Sequence, residues 1–186
     1  MTEAEAAGTE TGAGAEGSTV GSGRRRALYA LLSLAIVVLD QLTKALLKAR
    51  LPLYESFPVI PGFFDITHVE NTGAAFGLFA SVDHPLRTAF LLAVAGGVFL
   101  GVLYYAWRTP AEAILLQMAL ALVMGGAVGN LADRVRSGTV TDFLLFYVGR
   151  HQWPAFNVAD SAITVGVGLL AWDILRGEER KPCTPS

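Results

Sequence analysis

Four stretches of this chain are apolar for about the length that a helix needs to cross a bilayer. They run from about Ala27 to Leu47, Thr88 to Trp107, Ala111 to Gly129 and Val158 to Leu175. A helix needs roughly 20 apolar residues to span the hydrocarbon core. There it must satisfy its own backbone hydrogen bonds, which leaves helices as the form for such runs. Composition agrees: 53% of the 186 residues are hydrophobic and only 16% charged, against about 25% charged in soluble domains. The expected fold class is therefore a membrane α-helical protein with four transmembrane helices. The sequence contains no internal repeat and is too short for a transporter built from paired repeats.

The connections set the topology. Arg108-Thr109-Pro110 joins the second and third spans tightly, so these two are antiparallel neighbours. Arg24-Arg25-Arg26 abuts the first span and marks its near end as cytoplasmic. With that orientation Arg108, Arg176, Arg180 and Lys181 share the inner side, while Lys48, Arg50, Arg87, Arg134, Arg136 and Arg150 lie outside. Both termini are expected in the cytoplasm. A cleaved signal peptide is disfavoured, because no small-residue cleavage site follows the first run; Asp40-Gln41-Leu42-Thr43-Lys44 interrupts it instead. Residues 1–23 hold Glu3, Glu5, Glu10 and Glu16, no Lys or Arg, and little that is large and apolar. They are expected to form a disordered cytoplasmic tail. Residues 24–176 make the membrane domain, and 177–186 a second cytoplasmic tail. Cys183 is the sole cysteine, so no intrachain disulfide or cysteine metal site is available.

Two segments remain on the outer side. Phe63-Phe64-Asp65-Ile66-Thr67-His68-Val69 follows the punctuation of Pro61-Gly62, and Val140 to Tyr147 has the same aromatic and β-branched character. Both read as strands, predicting a small extracytoplasmic sheet.

Ionisable side chains cost about 2.5–3.5 kcal/mol at the centre of a span on insertion scales, so their placement is informative. Asp40 lies near the outer end of span one, with Lys44 one turn further on the same face. Asn130, Asp133 and Arg134 follow the end of span three; Asn157 and Asp160 open span four; Asp142 lies between. All fall at one depth. A proton or ion pathway would carry such groups through the full thickness. Chemistry at the outer interface fits better than a proton-coupled transporter using Asp40, Asp142 and Asp160, or than a structural scaffold.

Asp142 and Asp160 are the candidate reacting groups. Two carboxyls in a poorly hydrated site do not both ionise easily; one keeps a proton while the other accepts one from water. Hydrolysis of a peptide bond needs no more than that. Structural readings compete. Asn157-Val158-Ala159-Asp160 has the spacing of a helix cap, Asp133 has the same relation to Asn130, Asp40 with Lys44 reads as an ion pair, and Asp142 as an exposed strand residue. His68, His84 and His151 share no metal-ligand spacing, and Ser161 has no histidine in a motif with it. No cofactor, metal or nucleic-acid partner is expected.

Five segments carry a resemblance. Asp40-Gln41-Leu42-Thr43-Lys44, Asn71-Thr72-Gly73-Ala74-Ala75-Phe76-Gly77, Gly129-Asn130-Leu131-Ala132-Asp133-Arg134, Val140-Thr141-Asp142-Phe143 and Phe156-Asn157-Val158-Ala159-Asp160-Ser161-Ala162 resemble, in order, the motif series of the lipoprotein signal peptidase (signal peptidase II) family. The resemblance covers about residues 27–175. It implies a four-span aspartic peptidase of the bacterial cytoplasmic (inner) membrane with a small β-cradle and a short surface helix. Such an enzyme cleaves a prolipoprotein signal peptide just before a diacylglyceryl-modified cysteine. Asp142 and Asp160 match its catalytic pair; Asn71, Asn130, Arg134 and Asn157 match substrate-pocket residues; Asp40 and Asp133, with Lys44 beside Asp40, match supporting positions. The resemblance also implies membrane lipid around the site and inhibition by the cyclic peptide globomycin. A monomer is expected. The acidic segment 1–23 is outside the family pattern.

Overall fold

The computed structural model describes residues 13–73 and 84–179. The order of elements is α1 (Ala13–Arg50), β1 (Ser56–Ile60), β2 (Phe64–Asn71), α2 (His84–Arg108), α3 (Ile114–Ser137), β3 (Val140–Val148), β4 (His151–Gln152) and α4 (Val158–Glu179). All four helices are long and apolar enough to cross a membrane. Their outward residues are large hydrophobics: Leu28, Leu31, Leu34, Val38, Leu42 and Leu46 recur along one side of α1, all exposed. Water does not support an apolar face of that extent, whereas lipid does.

α3 is the central helix, packing against α1, α2 and α4. Small residues make this possible. A Cβ on Gly125 would meet the Ser33 carbonyl oxygen at 2.7 Å, and one on Gly126 would strike the Ala159 carbonyl oxygen. Close helix approach of this kind is the usual means of association where burial from water contributes little. At the end carrying Arg24–Arg26, Arg26 donates to the carbonyls of Trp107 and Thr109, and Gln117 donates to those of Ala106 and Thr109, satisfying the end of α2.

The opposite end carries an antiparallel sheet in the order β1-β2-β3-β4. The two expected strands are β2 and β3. Between Ile66↔Leu144 and Val69↔Asp142 the register shifts by one residue on β2, a bulge beside Asp142 of the kind that re-aims side chains. Phe146 stacks on Phe64 and on Phe156, at 4.6 and 5.9 Å between centroids, holding the sheet to the segment that leads into α4.

Some boundaries differ from expectation. α3 begins at Ile114 and runs through Ser137, past Gly129, so Asn130, Asp133 and Arg134 lie within the helix. Asn130 and Asp133 find partners on α1 and α4, so polarity does not end the helix there. It stops at Gly138, whose left-handed φ of 75° lets its N–H close on the Arg134 carbonyl. β1 and β4 add to the two expected strands. Residues 13–23, assigned by sequence to a disordered tail, continue α1; a helix once nucleated extends at little cost. Residues 1–12, the motif positions Ala74–Gly77, and residues 180–186 with Cys183 lie outside the described residues. No short surface helix occurs among the described residues.

Candidate active site

Beneath the site lies a buried ionic cluster. Asp40 of α1 is wholly buried, and Lys44, one turn on, is 3% exposed. The ammonium group of Lys44 lies 2.8 Å from Asp40 Oδ2 and 2.7 Å from Asp133 Oδ2, and donates to Asn130 Oδ1 at 3.2 Å. Buried charges persist only when paired and hydrogen-bonded, and this group has one acceptor per proton. Asp40 Oδ1 accepts the Ala159 N–H at 3.0 Å, so a carboxylate of α1 supports the first turn of α4. Asp133 Oδ1 accepts from Gln41 at 3.0 Å. Asp40, Lys44 and Asp133, expected from the sequence as supporting residues, are brought together in this one cluster. Lys44 reaches further than its helical pairing with Asp40 suggested.

Asn157 caps α4. The Asp160 N–H donates to Asn157 Oδ1 at 2.9 Å, and the Asn157 N–H donates to Asp160 Oδ2 at 3.3 Å. This reciprocal box fixes where Asp160 stands. The capping spacing expected from the sequence is thus present, and the capped Asp160 also lines a cavity.

Asp142 is 2% exposed. On the bulged strand pair Asn71 lies diagonally across from it and donates to Asp142 Oδ2 at 3.1 Å, with its own Oδ1 tied to the Gly73 N–H. Asn157 Nδ2 donates to Asp142 Oδ1 at 2.8 Å and also meets Asn130 Oδ1 and the Thr141 carbonyl. Asn130 Nδ2 donates to Asp160 Oδ1 at 2.7 Å. Two asparagine amides thus bridge the two carboxyls. Burial, and after it the charge of Asp160, pushes the Asp142 carboxyl from an ordinary 3.8 up to about 7.

Asp142, Asp160, Asn71, Asn130 and Arg134 all line one cavity of about 580 Å³, with Trp153 and Phe156 among its apolar walls. Asn157 is wholly buried and is not among the lining residues; it holds the carboxyls from behind. Ser161 spends its hydroxyl on the Asn157 carbonyl. Sequence reasoning missed Gln41, Thr141 and Gly129. Gln41 stands inside the Asp40–Lys44 segment that carries the family resemblance. Gly129 matters by close approach, since a Cβ there would meet Asp40 Oδ2 at 2.6 Å. A second cluster sits at the sheet edge: Glu70 accepts from Thr139, from Thr141 at 3.1 Å and pairs with Lys48 at 2.9 Å. Burial raises the Glu70 carboxyl, but these donors outweigh it and hold it below the ordinary range.

The sequence model of the family described as Signal peptidase (SPase) II matches residues 32–176. A lipoprotein signal peptidase of Desulforapulum autotrophicum is 50% identical over 145 residues, covering 78% of this chain and 90% of that protein. Another, of Geobacter metallireducens, is 44% identical over 154 residues, covering 83% and 94%. A solved structure described as a bacterial membrane enzyme superposes with a TM-score of 0.75 at 29% identity, over 86% of this chain and 95% of that one.

Proposed function

This chain belongs to the signal peptidase II family, whose members cleave signal peptides from prolipoproteins, and we propose that Asp142 and Asp160 are its catalytic pair. The observation that carries this reading is the single cavity lined by both carboxyls, which come from β3 and α4 and are bridged by the Asn130 and Asn157 amides. With Asp142 raised to about 7, a pair holding one proton between them is well populated near neutral pH. That form contains both a base for water and an acid for a carbonyl oxygen.

The substrate is a diacylglyceryl-modified prolipoprotein, cut just before the modified cysteine. Its signal helix enters sideways from the bilayer among the spans. The cavity sits at the end of the apolar helices, where an extended peptide and its lipid meet. Arg134, with Asn71 and Asn130, holds the substrate backbone and the lipid-modified region; Asn157 keeps the carboxyls in place. The site faces outward, both termini are cytoplasmic, and one chain contains the whole constellation, so a monomer suffices. Globomycin occupies the same cavity.

Purified protein is incubated with a diacylated precursor, with and without globomycin. Asp142→Asn and Asp160→Asn, each folded and membrane-inserted, lose at least about 100-fold in rate. Near-wild-type cleavage by either variant overturns the assignment.

A further inference from the structure

We propose that Lys44 is a positioning residue for this reaction: it locks the Asn130 amide with its NH2 toward Asp160, so that Asp160 is the anion that deprotonates water and Asp142 keeps the shared proton. This rests on the reading of Asp142 and Asp160 as the catalytic pair.

An asparagine amide can present either end to a carboxylate. At Asn130 two donors, Lys44 Nζ at 3.2 Å and Asn157 Nδ2 at 3.1 Å, converge on Oδ1. The NH2 group is left to face Asp160 Oδ1 at 2.7 Å. A cation bonded to the amide oxygen polarises the amide and strengthens that donor. Asp160 Oδ2 also accepts the Asn157 backbone N–H, and Asp160 stands in the first turn of α4, where the helix dipole favours a negative charge.

Asp142 is less well provided. The two hydrogens of Asn157 Nδ2 are divided among Thr141 O, Asn130 Oδ1 and Asp142 Oδ1. Its other donor, Asn71, stands at 3.1 Å, and Asp142 itself lies on β3, not in the first turn of a helix. The charged groups around the pair are Asp40 and Lys44 from α1, Asp133 and Arg134 from α3, and Glu70 from β2 beyond Thr141. Among them Lys44 is the cation bonded to an amide that touches the pair. It does not line the cavity, so it acts through Asn130 and not on the substrate.

The reaction balances on this assignment. Water oxygen bonds to the scissile carbonyl carbon while Asp160 takes a water proton and Asp142 gives its proton to the carbonyl oxygen. On collapse the C–N bond breaks, the leaving amine takes the proton from Asp160, and a hydroxyl of the intermediate returns one to Asp142.

The test measures kcat and KM for a diacylated precursor across pH with full-length wild type, Lys44→Met, and Lys44→Met combined with Asp40→Asn, which keeps the cluster's charge balance. In both Lys44 variants kcat falls about tenfold, KM changes less than about twofold, and the acid limb moves up by about one pH unit. A folded variant with an unmoved acid limb means a purely structural lysine and overturns the proposal. An independent measurement uses the wild type alone: carbon-13 spectra of aspartate carboxyls at about pH 6, with the two signals identified by their loss in Asp142→Asn and Asp160→Asn. Asp160 at the ionised position and Asp142 at the protonated one is expected; the reverse overturns it. Activity surviving in Asp142→Asn or Asp160→Asn sinks the catalytic pair instead, so the two failures are distinct.

Discussion

A carboxyl that is 2% exposed and faces a second carboxyl costs the fold something whenever it ionises. The sign follows from proton binding. Asp142 titrates near 3.8 when ordinary and near 7 in the folded protein, so between these values the folded state holds more protons than the unfolded one. Its contribution to stability is complete below about pH 4 and is lost as pH rises through about 7. Asp142→Asn removes the titrating group. Whatever the amide costs by meeting Asn71 or Asn157 differently is the same at every pH. Melting temperatures at about pH 5 and pH 8 are therefore compared for both proteins. The wild type loses at least about 3 °C more than the variant over that interval; equal losses show that Asp142 does not titrate there. Glu70 is the opposite case: its lowered carboxyl stabilises above the ordinary range and is lost in acid.

Among the elements, the apolar spans and the Asn157-x-x-Asp160 box were legible because each is a local pattern: a run, or a spacing of three on one helix. The strand containing Asp142 was legible by its alternation. The end of α3 was not. Asn130, Asp133 and Arg134 look like the end of an apolar run, and only the partners of Asn130 and Asp133 on α1 and α4 show why the helix continues. Nor was the need for Gly126 and Gly129 legible, because a glycine's reason lies in the neighbour that would be struck. Gly126→Ala places a Cβ against the Ala159 carbonyl oxygen and 2.7 Å from Ile163, pushing the turn that carries Asp160. A loss of about 1–3 kcal/mol in stability is expected, with kcat/KM reduced in the fraction that remains folded. Gly96→Ala on α2 meets nothing within 4 Å and serves as the control, neutral or slightly stabilising. Equal behaviour of the two variants contradicts close packing at the α3–α4 contact.

On the scale of the whole molecule, one end of the helical bundle carries the sheet, the buried ionic cluster and the cavity, while the other carries Arg24, Arg25, Arg26, Arg108 and Arg176. Arg108 and Arg176 each lie over an aromatic ring of their own helix, Tyr104 at 5.8 Å and Trp172 at 4.8 Å, the pairing expected of side chains at a membrane–water boundary. The basic residues near the sheet are almost as numerous, so the proposed orientation rests on the cluster beside the first span. The chain supplies its own probe. Cys183 is the sole thiol and follows the Arg176 end of α4 in sequence, so a membrane-impermeant maleimide is expected to leave it unlabelled in intact cells and to label it after permeabilisation. Arg150→Cys combined with Cys183→Ser moves the thiol to the exposed β3–β4 turn, and that protein labels in intact cells. The opposite pattern would put the cavity on the cytoplasmic side and overturn the proposed orientation.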